Sequence, residues 1–252
     1  MTLPRRRRAL FPVGLVALAL PLALGLGACK KAETGPTTGE PVAAVAPPAG
    51  KAWTDVVSAT PEGGMVMGNP NAPIKLVEYG SLTCPHCAKL ATDSNAALKD
   101  TYVASGKVSF EYRSFAIHGI DIPLTVLAKC AAPEAFFGLV DQVYVNQNAL
   151  LERAQKGQAV AQAAAALPPA KRMGAIADAY GLTEFFSARG VPVAKAHTCL
   201  ADTAAAEAVA KLAEDAGKQG IESTPTLFIN DSKVAGATWP EVETALKAAG
   251  AR

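Results

Sequence analysis

Apolar residues recur along this chain with two periods, and the switches between them mark its elements. Met65-Val66-Met67 reads as a short strand ended by Gly68-Asn69-Pro70, and Ile74–Tyr79 as a stronger one stopped by Gly80. From Cys84 to about Tyr102 the spacing lengthens, and Leu90, Ala91, Leu98 and Tyr102 share a helical face. Val108, Phe110 and Tyr112 then alternate with Ser109, Glu111 and Arg113, which predicts a strand with one buried side. Residues 63–115 therefore read β, β, α, β.

The next hundred or so residues read as helical. Helices are predicted at 121–131, 133–147, 169–179, 183–188 and 201–218. Val209, Leu212, Ala213 and Ala216 form a clean stripe on the last of these. The Ala-rich run 158–168 ends at Leu167-Pro168-Pro169, which breaks any helix there. Thr226-Leu227-Phe228-Ile229 then reads as a buried strand, Asn230-Asp231 as a turn, Lys233-Val234-Ala235 as a partner strand and 239–249 as a closing helix. A β-α-β half, a helical block and a β-β-α half predict an α/β domain with a helical insertion at about 116–220.

Upstream, the pattern changes. Arg5–Arg8 precede an apolar run from Ala9 to Ala28, the layout of an export signal. An uncleaved membrane anchor is the competing reading, although Pro12, Pro21 and the glycines make a poor anchor helix. Leu26-Gly27-Ala28-Cys29 resembles a bacterial lipobox, which is cut before the cysteine and lipidated on it. All three readings place the rest of the chain outside the cytoplasm, in the periplasm or cell envelope. Residues 30–52 are rich in Pro, Ala, Gly and Thr and read as a flexible tether, with order beginning near Trp53. The expected organisation is a signal peptide at 1–28, a lipidated Cys29 with linker to 52, and one domain at 53–252.

Composition narrows the function classes. Half of the 252 residues are apolar and 18% are charged, which reads as globular. The net charge is only +2, and four positive charges sit at Arg5–Arg8, so no basic nucleic-acid face is expected. There are five cysteines: Cys29, Cys84, Cys87, Cys130 and Cys199. With Cys29 lipidated, four remain, an even number in an oxidising compartment.

The candidate chemistry lies at Cys84-Pro85-His86-Cys87, on a strand-to-helix junction. A thiolate at a helix N-terminus is stabilised by free N–H groups and the helix dipole, so Cys84 is expected to be the exposed, attacking sulfur. Cys87, one turn on, is expected to be the buried resolving thiol. Pro85 fits the first turn without losing a hydrogen bond. His86 is expected to favour the thiolate, which makes the disulfide a stronger oxidant. Two other readings of a lone C-x-x-C are half a zinc site and a structural staple. Cys130, Cys199, His118 and His197 are too scattered to complete a metal site, and so short a disulfide is a poor staple.

The run from Ile74 to Cys87, Ile-Lys-Leu-Val-Glu-Tyr-Gly-Ser-Leu-Thr-Cys-Pro-His-Cys, resembles the strand and active-site start of DsbA-like thiol–disulfide oxidoreductases, in their "thioredoxin-4" branch. The resemblance covers roughly 63–249 and implies a thioredoxin fold with the helical block inserted between its halves. It implies that Glu78 is a buried proton acceptor for Cys87, against a half-exposed strand carboxylate as the alternative. It implies that Pro225, in Ser223-Thr224-Pro225-Thr226, is a cis-proline facing the C-x-x-C. Thr224 and Pro225 would then present backbone to a bound polypeptide and keep metals off the thiols; a trans-proline at a strand start is the other reading. Cys130 and Cys199 are expected to form a structural disulfide, with a second redox pair or two free thiols as alternatives. Met65, Met67, Phe136, Phe137 and Tyr144 are expected in the core.

The implied activity is a monomeric dithiol oxidase that gives its disulfide to exported polypeptides with free cysteines. Reoxidation would come from a quinone-linked membrane partner, and no cofactor or metal is implied. A disulfide isomerase or reductase, or a non-enzymatic holdase, would share the fold.

Overall fold

The computed structural model describes residues 39–252; the N-terminal basic and apolar segment and Cys29 lie outside the described residues. Six strands form one sheet: β1 (Val57–Ala59), β2 (Met65–Gly68), β3 (Ile74–Gly80), β4 (Val108–Ser114), β5 (Thr226–Ile229) and β6 (Ser232–Lys233). Their order is β1-β2-β4-β3-β5-β6. β3 and β4 are parallel, which demands a crossover, and helix α1 (Pro85–Ala97) supplies it. β5 runs antiparallel to β3, and β6 to β5. The β5–β6 turn holds Asn230 at φ 47° and Asp231 at φ 66°, a conformation these two residue types tolerate. The last helix of the domain, α9 (Trp239–Ala248), follows. This is a thioredoxin fold, and the α/β class and inserted helices read from the sequence hold.

The insertion contains seven helices among the described residues: α2 (Asp121–Cys130), α3 (Phe136–Val145), α4 (Gln147–Ala164), α5 (Pro169–Ala179), α6 (Leu182–Ser187), α7 (Val193–Ala201) and α8 (Thr203–Lys218). Five were expected. The predicted helix at 133–147 is instead a short 3₁₀ turn at Pro133–Ala135 and then α3, closed at Asn146, where φ is −103° and ψ 10°. Helix α4 went unrecognised because its buried positions are mostly Gln147, Leu150 and three alanines, a faint stripe. Helix α7 is short and begins directly after Pro192. The helix predicted from Cys84 to Tyr102 stays α-helical to Ala97 and continues as a π-helical turn, Leu98–Val103.

Two further expectations change. Strand β4 is buried on both faces, not one: Ser109 and Glu111 are 5% and 9% exposed. Glu111 tolerates this because Thr60 donates to it at 2.7 Å and Arg113 pairs with it at 2.7 Å. Order also begins before Trp53. Gly39 N–H donates to Ala248 O at 2.6 Å, Val42 N–H to Gly250 O at 2.9 Å and Val45 N–H to Ser105 O at 2.9 Å. Arg252 Nη2 donates back to Gly39 O at 2.7 Å, and the Trp53 indole to Val45 O at 2.7 Å. Residues 39–45, inside the stretch read as tether, thus lie against the domain, because the carbonyls of Ser105, Ala248 and Gly250 offer acceptors.

The core runs through both halves and the insertion. Leu76, Phe110 and Ile229 are in register on β3, β4 and β5 and so share one face. Ile74, Val108, Leu127, Phe186 and Leu246 are 1% exposed or less. Each such side chain contributes about 1.5–3 kcal/mol by leaving water. Met65, Met67, Phe136, Phe137 and Tyr144 are buried as expected. No helix among the described residues is long and apolar enough to cross a membrane.

Candidate active site

Strand β3 ends at Gly80, the turn Ser81–Thr83 follows, and Cys84 caps the N-terminus of α1 with extended backbone (φ −79°, ψ 121°). Pro85 is the first helical residue, where a missing N–H costs nothing. Cys84 and Cys87 are both free thiols. Cys87 is fully buried. Cys84 was expected to be exposed but is 4% exposed, because the loop before β5 covers it. That loop carries a cis Thr224–Pro225 bond, and the Cys84 thiol donates to Thr224 O at 3.4 Å.

The two sulfurs sit in opposite electrostatic settings. A hydrogen bond from the Cys87 side chain is the largest influence pulling the Cys84 thiol down, to about 5. The Thr224 side chain and the backbone N–H groups of Cys87 and His86 pull the same way, and burial opposes them. Burial pushes Cys87 far above the usual thiol range, and the Cys84 side chain and the Glu78 carboxyl add to this. The His86 ring is exposed, and the contribution of this residue to the sulfur comes through its backbone N–H.

Glu78 lies beneath. In register it is flanked by Tyr112 on β4 and Leu227 on β5, which cover its face of the sheet. It is 5% exposed, and its Oε1 has no hydrogen-bond partner. Burial, and then the charge of Cys84, raise its carboxyl to about 8. Gly80 makes room for this arrangement: a Cβ there would stand 2.6 Å from the Tyr112 ring and 2.8 Å from Glu78 Oε1. The arrangement thus holds a stabilised thiolate, a thiol that keeps its proton and a carboxyl that can carry one at neutral pH.

Cys130 and Cys199 form a disulfide between α2 and α7. Among the described residues, no group of three or more His, Cys, Asp or Glu is placed to hold a metal ion. Sequence reading missed three residues of the insertion that touch the active-site turn. Tyr144 Oη donates to Ser81 O at 3.3 Å, and Gln147 Nε2 to Leu82 O and Cys84 O at 3.0 and 3.1 Å. The Asp121 carboxylate, fully buried, accepts from Ser81 and Thr83. No local motif marks them; only a polar residue at a buried helical position distinguishes them, and burial is invisible before folding.

A family model described as Thioredoxin matches residues 60–248. An inferred protein-disulfide oxidoreductase of Rickettsia bellii is 34% identical over 86 residues, which is 34% of this chain and 33% of that protein. The chain thus spans about a third or less of the length of the Rickettsia relatives it matches. Among solved structures, a protein-disulfide isomerase of Novosphingobium aromaticivorans superposes with a TM-score of 0.66 at 28% identity, covering 73% of this chain and 95% of that one. Wolbachia pipientis alpha-DsbA1 shares the fold, with a TM-score of 0.58 at 20% identity over 77% and 94% of the two chains. With its family-model match over residues 60–248, a C-x-x-C at the head of α1 and a cis-proline across from it, the chain belongs to the thioredoxin family.

Proposed function

We propose that this chain is an exported dithiol oxidase, which gives a Cys84–Cys87 disulfide to free cysteines of exported polypeptides. The observation that carries the reading is the split between the two thiols: Cys84 is pulled down to about 5, and Cys87 is pushed the other way. A dithiol whose attacking sulfur rests as a thiolate at neutral pH is stabilised in its reduced form. Its disulfide is correspondingly eager to accept electrons.

The cycle follows from these positions. A substrate thiolate attacks Cys84 Sγ; the Cys84–Cys87 bond breaks and a substrate–Cys84 mixed disulfide forms. Cys87 leaves with the electron pair and takes a proton, and the neutral Glu78 carboxyl beneath it is the donor. In the reverse direction Glu78 is the acceptor. A second substrate thiolate then attacks the substrate sulfur and releases Cys84 as a thiolate. Two electrons have passed from the substrate dithiol to the C-x-x-C pair. Thr224 and Pro225 hold the incoming polypeptide by its backbone, and Pro85 and His86 complete the turn that Cys84 heads. Return to the disulfide falls to a quinone-linked membrane partner. The chain is read as a monomeric periplasmic lipoprotein, with the signal at 1–28 removed and lipid on Cys29. Intact-mass analysis of the membrane fraction tests this: a mature chain starting elsewhere and carrying no lipid overturns the anchor.

The oxidase reading is tested by equilibrating the C-x-x-C pair with glutathione. A potential well above ~−270 mV, the value typical of thioredoxin, is expected. A value near that figure overturns the oxidase direction. Isomerisation is the second reading, favoured by the name of the Novosphingobium structure. Recovery of activity from a scrambled substrate, with no added oxidant, would select it.

A further inference from the structure

The turn that delivers Cys84 is held largely from outside the β-α-β half. Asp121, the first residue of α2, belongs to the insertion and is 0% exposed. Its Oδ1 accepts from Thr83 N–H and from Ser81 Oγ, each at 3.0 Å. Its Oδ2 accepts from Thr83 Oγ1 and Ser81 Oγ, again at 3.0 Å. The backbone N–H groups of Ile117 and His118 also reach Oδ2 at 3.0 Å. These donors come from two stretches, 81–83 and 117–118, so one carboxylate ties the active-site turn to the start of the insertion. His118 Nδ1 lies 2.9 Å from Thr83 Oγ1 and extends the same network. Gln147 and Tyr144 hold the carbonyls of the same turn.

The arrangement has a purpose beyond satisfying a buried carboxylate. Thr83 immediately precedes Cys84, and the Cys84 N–H is committed to Ser81 O at 3.2 Å. Fixing Ser81 and Thr83 therefore fixes the rotation of the first turn of α1, and with it the aim of the sulfur between the helix N–H groups and Thr224 O. We propose that Asp121 is a positioning residue for thiol exchange: it clamps Ser81 and Thr83 so that Cys84 is held in its reactive alignment. This rests on the reading of Cys84 as the nucleophile.

The donor count makes Asn a sharp probe. An Asn side chain has nearly the same shape but one NH₂ in place of an oxygen. On the Oδ1 side that NH₂ faces the Thr83 N–H, and on the Oδ2 side it faces those of Ile117 and His118. Either orientation sets donor against donor in a dry site.

The test is the pH profile of Cys84 alkylation by iodoacetamide, measured on the reduced full-length protein, beside its thermal stability. Asp121→Asn is expected to raise the midpoint by about one pH unit, a tenfold change in the acid constant. Substrate oxidation is expected to slow by about tenfold or more, the scale of loss when a reacting atom is misplaced by a fraction of an ångström to an ångström. Removing a nearby negative charge would by itself move the midpoint down, so an upward shift reports alignment. An unchanged or lowered midpoint overturns the proposal. Leu182→Ala, a buried change in α6, is the control: it lowers stability and leaves the midpoint in place. A midpoint that moves equally in the control makes the Asp121 effect general loosening and also overturns the proposal. Should Asp121→Asn not be recovered folded, Thr83→Val takes its place with the same outcomes. The nucleophile reading fails separately, if wild-type Cys84 alkylates no faster at pH 6 than an ordinary thiol.

Discussion

The turn at Cys84–Cys87 and the bridge at Cys130–Cys199 use the same side chain in contrasting settings. In the first, two free sulfurs lie one helical turn apart, under a cis-proline loop and above a buried carboxyl. In the second, two sulfurs 69 residues apart in sequence are joined, and Cα atoms 6.0 Å apart link α2 to α7. A bond across one helical turn restricts the unfolded chain little, whereas one across 69 residues restricts it by about 4 kcal/mol in the chain-entropy account. The difference is one of neighbours and loop length. Backbone N–H groups and a second thiol surround Cys84, and its bond is built to open. Cys130 is buried in the core and joined to a partner on another helix, and its bond is built to stay.

The sharpest way to break this contrast is to disable each pair in turn. Cys84→Ser is expected to abolish thiol exchange to background, measured by turnover of a reduced substrate protein. Activity surviving in that variant would move the redox role to the other pair. Paired replacement of Cys130 and Cys199 by alanine should do the converse. Stability to denaturant falls by about 4 kcal/mol, and the glutathione equilibrium of Cys84–Cys87 stays within twofold. A large redox shift there would show that the two regions are not independent.

A smaller effect sharpens the contrast from the carboxyl side. Folding raises Glu78 from 4.5 to about 8. A raised acid is stabilising while protonated, so its contribution is complete below pH 4.5 and is lost as pH rises through 8. Glu78→Gln removes that loss. The variant is expected to be more stable than wild type at pH 9 by on the order of 3 kcal/mol, with the gap closing toward pH 5. Because the Cys84 charge adds to the shift, the gap should be wider in the dithiol than in the disulfide form. A gap equal in both forms would mean that Glu78 does not sense the redox pair. The same substitution should slow release of Cys87 by withdrawing its proton source.

How far the sequence foretold this follows from what each residue needs. Strands β3, β4 and β5 and helices α1 and α9 announced themselves because periodic apolar residues and hard stops bound them, as at Gly80 and at Asn230-Asp231. The cysteine pair was legible because its chemistry depends on local spacing, whereas Glu78 was legible only through the resemblance. The cis state of Thr224–Pro225 was legible only through the resemblance, since no local rule fixes an isomer. Helix α4 hid behind alanines, and Glu111 looked solvent-facing because its partner Thr60, 51 residues away, arrives only in the folded sheet. Asp121 and Gln147 were invisible for a deeper reason. Their partners on the active-site turn lie 38 to 65 residues away in the chain, and their meaning arises only when the insertion folds onto that turn.

The seam between Gly39 and the last helix has a consequence for how this domain can be handled. Gly39 is hydrogen-bonded to both Ala248 and Arg252, so the two edges of the described chain meet at one corner. Short Gly/Ser residues would bridge that corner, and new ends opened at the exposed turn around Gly190 would leave the sheet order untouched. The order in which the halves are encoded is therefore separable from the shape they make. A label fused on either side of this corner reports from the same place on the surface.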